Sequence, residues 1–204
     1  MAKTVNGRER VWQIQEMVGS GDAGEVLRVV SYPGNLQGVM KRPVQNVSGG
    51  TIVRQAGQIE TEGKILIALD GLDFTRNYLT VHTPLVLDRS IEGTSNTVNL
   101  FIVSEEIRGK SISTLLAERL STGQPIPQNL VLKVLSSLLL LLEKVHSKGV
   151  VWNDVKMDHI FWNADTKTMS FIDWGNGFFF QPQADIENSP IWQDYIQMVE
   201  EGLN

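Results

Sequence analysis

Four stretches of this chain carry residue types and spacings that could handle a phosphate. The first is Gly19-Ser20-Gly21-Asp22-Ala23-Gly24, followed closely by Val26. Glycines between two apolar runs let backbone amides approach phosphate oxygens closely. A plain glycine-rich hairpin turn fits this stretch as well. It is not the dinucleotide fingerprint, which needs a helix directly after the glycines, nor a P-loop, which needs Lys-Ser/Thr. The second stretch pairs two distant residues, Lys41 in Gly38-Val39-Met40-Lys41 and Glu62. Glu62 interrupts an apolar stripe, and a carboxylate facing a core asks for a cation. Lys41 asks for an anion. Joined, they would aim the ammonium at phosphate oxygens. The third runs from Val150 to Phe161 and crowds Asp154, Lys156, Asp158 and His159 between apolar runs. A solvated turn has this composition. So does a carboxylate that accepts a hydroxyl proton beside a lysine that steadies a transferred phosphoryl group. The fourth, Ser170-Phe171-Ile172-Asp173-Trp174-Gly175, can present a carboxylate to Mg²⁺, or simply end a strand.

The elements that must hold these residues follow from periodicity. Trp12–Val18 and Val26–Val30 read as the two strands of a hairpin, Tyr32-Pro33-Gly34-Asn35 as a turn, and Val39–Lys41 as a third strand stopped by Pro43. Thr51–Leu69 reads as a helix. Gln55, Ile59, Glu62, Leu66 and Leu69 form its buried stripe, and Glu60 and Lys64 form a surface pair. Tyr78–Leu87 and Val98–Val103 read as two more strands around a polar loop, Asp88–Asn96. Beyond Gly109 the pattern is mainly helical. Ile112–Leu120 is one helix, and Pro127–Lys148 is a longer one ended by Gly149. Leu135, Leu138, Leu139 and Leu142 give the long helix a buried face. Val150–Trp152 and Met169–Ile172 read as short strands. His82 and His146 read as structural.

The order and spacing of the four stretches resemble the protein kinase family, from about Val11 to Gly175. Gly19, Gly21, Gly24 and Val26 match its glycine-rich loop, and Val39-Met40-Lys41 its third-strand lysine. Glu62-Gly63-Lys64-Ile65-Leu66 resembles the helix segment bearing the partner glutamate. Val103–Gly109 resembles the hinge. The resemblance implies an ATP site made by Gly19, Ser20, Gly21, Gly24, Val26 and Lys41, with adenine held near Glu105 and Ile107. It implies Asp154 as the base that orients an acceptor hydroxyl, Lys156 as its companion, and Asp173 as a ligand of Mg²⁺ or Mn²⁺, with His159 beside it. The implied function is transfer of the ATP γ-phosphoryl group to a protein hydroxyl, of the serine/threonine type.

The departures from the family are specific. Trp152-Asn153-Asp154 stands for His-Arg-Asp. Without the arginine, control by a phosphorylated activation loop is not expected. His159 stands where the family has a metal-binding asparagine, and imidazole suits Mn²⁺ better than hard Mg²⁺. This keeps a second reading, a nucleotide-binding pseudokinase serving as a regulatory module. Trp174 also resembles small-molecule phosphotransferases of the aminoglycoside and choline kinase type. Those lack the lysine two residues after the catalytic aspartate, so Lys156 favours the protein kinase branch. Only Asn176–Asn204 follow Gly175. Asp194–Val199 would begin the large helix after the activation segment, and Gln181–Pro190 would be a polar connector. The reading is therefore a fragment of a longer protein or a minimal kinase.

Bulk properties set the outer limits. The chain has 204 residues, 42% of them hydrophobic, and a net charge of −5. That charge leaves no footprint for nucleic acid. The absence of cysteine fits a reducing compartment. No purely apolar run is longer than Leu138–Leu142, far shorter than the roughly 18 residues of a membrane span. The expectation is a cytoplasmic α+β protein with a two-lobed, protein-kinase-like fold. Residues 1–107 would form a five-stranded antiparallel N-lobe with one main helix. Residues 108–204 would form a mostly helical, incomplete C-lobe. A protein substrate and further domains of a longer chain are the expected partners.

Overall fold

Alternating apolar residues and glycine-marked turns build four strands before the first helix begins. The computed structural model describes residues 3–45, 47–76, 78–90, 99–180 and 190–203. In chain order come strands β1 (Thr4–Asn6), β2 (Val11–Gly21), β3 (Gly24–Tyr32) and β4 (Gln37–Arg42), then helix α1 (Gly49–Leu69). Strands β5 (Asp73–Arg76), β6 (Leu79–His82), β7 (Val86–Arg89), β8 (Ile102–Ser104) and β9 (Lys110–Ser111) follow. Helices α2 (Ile112–Ser121) and α3 (Gln128–Ser147) lead to β10 (Val150–Val151), a 3-10 turn (Met157–His159), β11 (Ile160–Asn163), β12 (Thr168–Phe171), β13 (Phe178–Phe179) and α4 (Trp192–Leu203). The chain folds as two compact units. One comprises Met1–Asp70 and Leu85–Glu106, the other Gly71–Pro84 and Ile107–Asn204.

The first unit is an antiparallel sheet in the order β1-β2-β3-β4-β8-β7, with α1 packed on it. It has six strands rather than the expected five, because Thr4–Asn6 pairs with Val11–Gln13 along the outer edge. One face buries Trp12, Leu27, Val29, Met40, Phe101 and Val103 together. Each such side chain contributes about 1.5–3 kcal/mol on leaving water. Asp88 closes this edge. Its buried carboxylate accepts from the Glu9, Arg10 and Arg89 amides and from Trp12 Nε1 at 2.8 Å. Asp88 therefore belongs to β7 and not to the polar loop expected at Asp88–Asn96, of which residues 91–96 lie outside the described residues.

Helix α1 starts at Ser48, whose side chain accepts from the Thr51 amide, and ends at Asp70 in the left-handed region. Gln55, Ile59, Glu62, Leu66 and Leu69 all lie on its buried side, as the 3.6-residue period requires. Glu60 and Lys64 pair on the outside at 2.7 Å.

The second unit holds a sheet in the order β5-β6-β12-β11-β9, a small β10-β13 pair, and helices α2, α3 and α4. Tyr78–Leu87 is not one strand. Pro84 lacks an amide donor, and β6 and β7 on either side of it join different sheets. Strand β6 runs parallel to β12, pairing Thr80 with Thr168. The expected strand at Val98–Val103 is confined to Ile102–Ser104, with Val98 outside the described residues. Helix α3 buries Val134, Ser137, Leu138, Leu141, Leu142, Val145 and His146. Leu139 is 48% exposed, contrary to expectation, because it lies about 100° around the helix from Leu138. The Gln181–Pro190 connector lies almost wholly outside the described residues. No helix among the described residues is long and apolar enough to cross a membrane.

Candidate active site

In the first unit the glycine stretch is the tip of the β2–β3 hairpin. Gly19 pairs with Val26, Ser20 with Glu25 and Gly21 with Gly24, with irregular register between Met17 and Gly19. The glycines serve different ends. Gly24 has φ +122°, and a Cβ there would collide with the carbonyl oxygen of Arg42. Only glycine satisfies both constraints. Beside Gly19 and Gly21 a Cβ would meet nothing within 4 Å. Their backbone is therefore uncovered on that side of the hairpin tip.

One strand further in, β4 places Lys41 opposite Val26 on one side and Ile102 on the other. Lys41 Nζ lies 2.6 Å from Glu62 Oε2, with both side chains largely buried. The carboxylate that interrupts the apolar stripe of α1 thus meets a lysine. Gln55, 2% exposed on the same stripe, reaches the hairpin tip. Its Nε2 donates to the carbonyls of Gly21 and Asp22, and its Oε1 accepts from the Val44 amide at 2.9 Å. Arg28 spans Glu16 and Glu106. The hydrogen bond to Glu106, followed by that residue's charge, raises the guanidinium pKa. Glu105 is the penultimate residue of this unit's last stretch, where its amide donates to Leu85 O, whereas Ile107 belongs to the second unit.

In the second unit, tight loops bring Asp154, Lys156, His159 and Asp173 together. The backbone turns at Asn153 (φ 57°) and Asp173 (φ 60°). Lys156 Nζ lies 2.5 Å from Asp154 Oδ1. Asn176 Nδ2 donates to Asp154 Oδ2 at 3.1 Å. His159 Nδ1 is 3.5 Å from Asp154 Oδ2, and its Nε2 is 3.4 Å from Asp173 Oδ2. Hydrogen bonding to Asp154 is the main influence raising the Lys156 pKa. Partial desolvation opposes it, and the charges of Asp154, Asp173 and Glu201 add to it. Ligand atoms of Asp154, His159 and Asp173 lie within 4.8 Å of one another. Two carboxylates and an imidazole at that spacing suit a divalent cation that accepts mixed oxygen and nitrogen donors.

Two tryptophans brace these loops. Trp152 and Trp174, both fully buried, have ring centroids 5.4 Å apart. Trp152 Nε1 donates to Asp173 O at 3.2 Å, and Trp174 Nε1 to Phe171 O at 3.1 Å. The loop backbone is held from α4. Asp194, fully buried, accepts from the Trp152 amide at 2.8 Å, the Asn153 amide at 2.5 Å and His146 Nε2 at 2.9 Å. Gln197 accepts from the Val155 amide and Glu201 from the Met157 amide. Sequence reasoning placed Gln55 on the buried stripe of α1 without a partner, and assigned no role to Asn176 or to this i, i+3, i+7 row on α4. Its one available signal was an acid next to Tyr195 on an otherwise amphipathic helix. His146, read as structural, is buried against Asp194.

The fold, the lysine–glutamate pair and the acid-rich loops are those of the protein kinase class. The family profile for the protein kinase domain matches residues 12–196, and the chain belongs to that family. It is similar to the serine/threonine-protein kinase Kist of Rattus norvegicus and of Homo sapiens. Each is 29% identical over 172 residues, covering 83% of this chain and 39% of the relative. It is also similar to the probable serine/threonine-protein kinase fnkE of Dictyostelium discoideum, 25% identical over 170 residues and 12% of that protein. The chain thus spans about two fifths of the length of the Kist proteins it matches.

Proposed function

We propose that this kinase domain uses ATP to phosphorylate serine or threonine hydroxyls of protein substrates. The observation that carries the reading is the cluster in the second unit, with Asp154 against Lys156 and both near Asp173 and His159. The serine/threonine preference rests on the similar proteins, which are serine/threonine-protein kinases by name. In this reading residues 1–107 form the nucleotide lobe and 108–204 the catalytic lobe. The backbone at Gly19, Ser20, Gly21 and Gly24, with Val26, covers the nucleotide, and Glu105 and Ile107 flank adenine. Lys41, steadied by Glu62, holds the α- and β-phosphates. Asp154 orients the acceptor hydroxyl and takes up its proton. Lys156 stabilises charge on the transferred group. Asp173 and His159 would hold Mg²⁺ or Mn²⁺, which supplies neutralising charge to the phosphates when bound. Such catalysis is positioning and electrostatics.

His159 also favours a second reading, a nucleotide-binding regulatory module, because its ring lies between the two carboxylates, with Nδ1 3.1 Å from the Asp154 carbonyl oxygen. Incubation with labelled ATP and Mg²⁺ or Mn²⁺ separates the two. Transfer to itself or to a generic protein substrate is expected. Asp154→Asn is expected to reduce it about 10²–10⁴-fold, and Lys41→Met to abolish it without unfolding the protein. Wild-type rates in either variant would sink the mechanism. Nucleotide-dependent thermal stabilisation with no transfer under either metal would establish the regulatory module.

A further inference from the structure

We propose that the second unit carries a docking cavity for an acidic segment of a protein partner, built around Arg76, Lys133 and Lys167. The cavity has a volume of about 410 Å³. Three elements wall it: the β5–β6 hairpin with Arg76 and Tyr78, α3 with Leu132 and Lys133, and the β11–β12 hairpin with Trp162 and Lys167. Three of its described lining residues are cations, and none is acidic. In a chain of net charge −5, this concavity reverses the prevailing sign.

The walls are fixed in place. Lys133 Nζ sits 5.0 Å above the centroid of the Trp162 ring, which orients the ammonium. Lys144 Nζ lies 4.5 Å from the centroid of the Phe74 ring, which links the hairpin to α3, and Arg76 is 3.9 Å from Glu143. The Arg76 contact is long and exposed, which leaves that guanidinium able to exchange partners. Neither Lys133 nor Lys167 has a carboxylate partner among the described residues. Tyr78 is 92% exposed and Leu132 is 56% exposed, which adds apolar surface beside the cations.

This chemistry fits a peptide in which aspartates or glutamates flank an apolar side chain. Nucleic acid fits less well. The cations ring one concavity instead of tracking an extended backbone, and Lys133 already covers a face of Trp162, where a base would stack. Tethering a substrate here raises its effective concentration at the domain. None of these residues is assigned to phosphotransfer. Binding is therefore measured without nucleotide, and its failure leaves the kinase reading untouched.

The test is fluorescence anisotropy on the full chain. The probes are a short labelled peptide rich in Asp and Glu with a central leucine, the same peptide with Asn and Gln, and oligouridylate. The acidic peptide should bind most tightly and weaken as salt rises. Lys133→Glu combined with Lys167→Glu should weaken it about tenfold or more. Lys133→Gln and Lys167→Gln should each weaken it in part with thermal unfolding unchanged, which decides the matter if the double variant does not fold. Equal affinity for the neutral peptide, oligouridylate binding as tightly as the acidic peptide, or undiminished affinity in the folded variants would overturn the proposal.

Discussion

Gln55 shows how one buried amide can connect a helix to a loop that contains no bulky side chain. It satisfies the Gly21 and Asp22 carbonyls and the Val44 amide from a single position on α1. Gln55→Ala removes these hydrogen bonds from the exposed Gly21 and Asp22 carbonyls and the half-buried Val44 amide, at a cost of about 0.5–1.5 kcal/mol each. The expected outcome is faster hydrogen exchange at the amides of Gly19–Gly24, read by mass spectrometry, with exchange in β8 unchanged. Tyr195 gives a pH prediction at the same scale. Burial, and then the charges of Asp194 and Glu143, push its phenol pKa above the ordinary value of 10.0. A raised value means the folded state favours the neutral phenol. That contribution is whole below pH 10.0 and is lost as pH rises through the folded-state value. Thermal unfolding should therefore fall more steeply above pH 10.0 in the wild type than in Tyr195→Phe. Parallel curves would exclude this role for Tyr195.

At the scale of elements, α4 acts as a rack for the loop that carries Asp154. Asp194, Gln197 and Glu201 stand one above another on a single helix face, and each receives an amide of the loop. Asp194→Ala removes the acceptor of two amides and of His146 at once. It should destabilise the protein by about 3 kcal/mol or more, measured by urea unfolding, with Asp194→Asn less severe. None of this was legible in the sequence. The contacts join residues some forty positions apart, and acids and amides along a helix look the same whether they face water or a loop. By contrast, α1 was legible in its length and in its buried stripe, because a 3.6-residue period is a local property. The Lys41–Glu62 pair was legible for a related reason: a carboxylate in an apolar stripe has few ways to be satisfied. The β6–β7 region was misread because apolar content runs unbroken past Pro84, and composition does not say to which sheet a strand belongs. Strand β5 carries a polar, charged pattern and left no strand signal at all.

At the scale of the molecule, the chain passes between its two units three times, after Asp70, after Pro84 and after Glu106. The middle excursion, Gly71–Pro84, supplies β5 and β6, and β6 lies directly against β12. The strand that leads into Asp173 is therefore an interior strand only because a distant stretch of sequence shelters it. A recombinant piece beginning at Ile107 would expose the backbone donors and acceptors of β12, together with Met169 and Phe171, as an uncovered border. Such a border recruits other chains. Light scattering after size-exclusion chromatography should find that piece as oligomers, whereas a piece in which a short linker joins Gly71–Pro84 to Ile107–Asn204 should remain monodisperse. The short β5–β6 segment thus covers a border that would otherwise be open to a second copy of the chain.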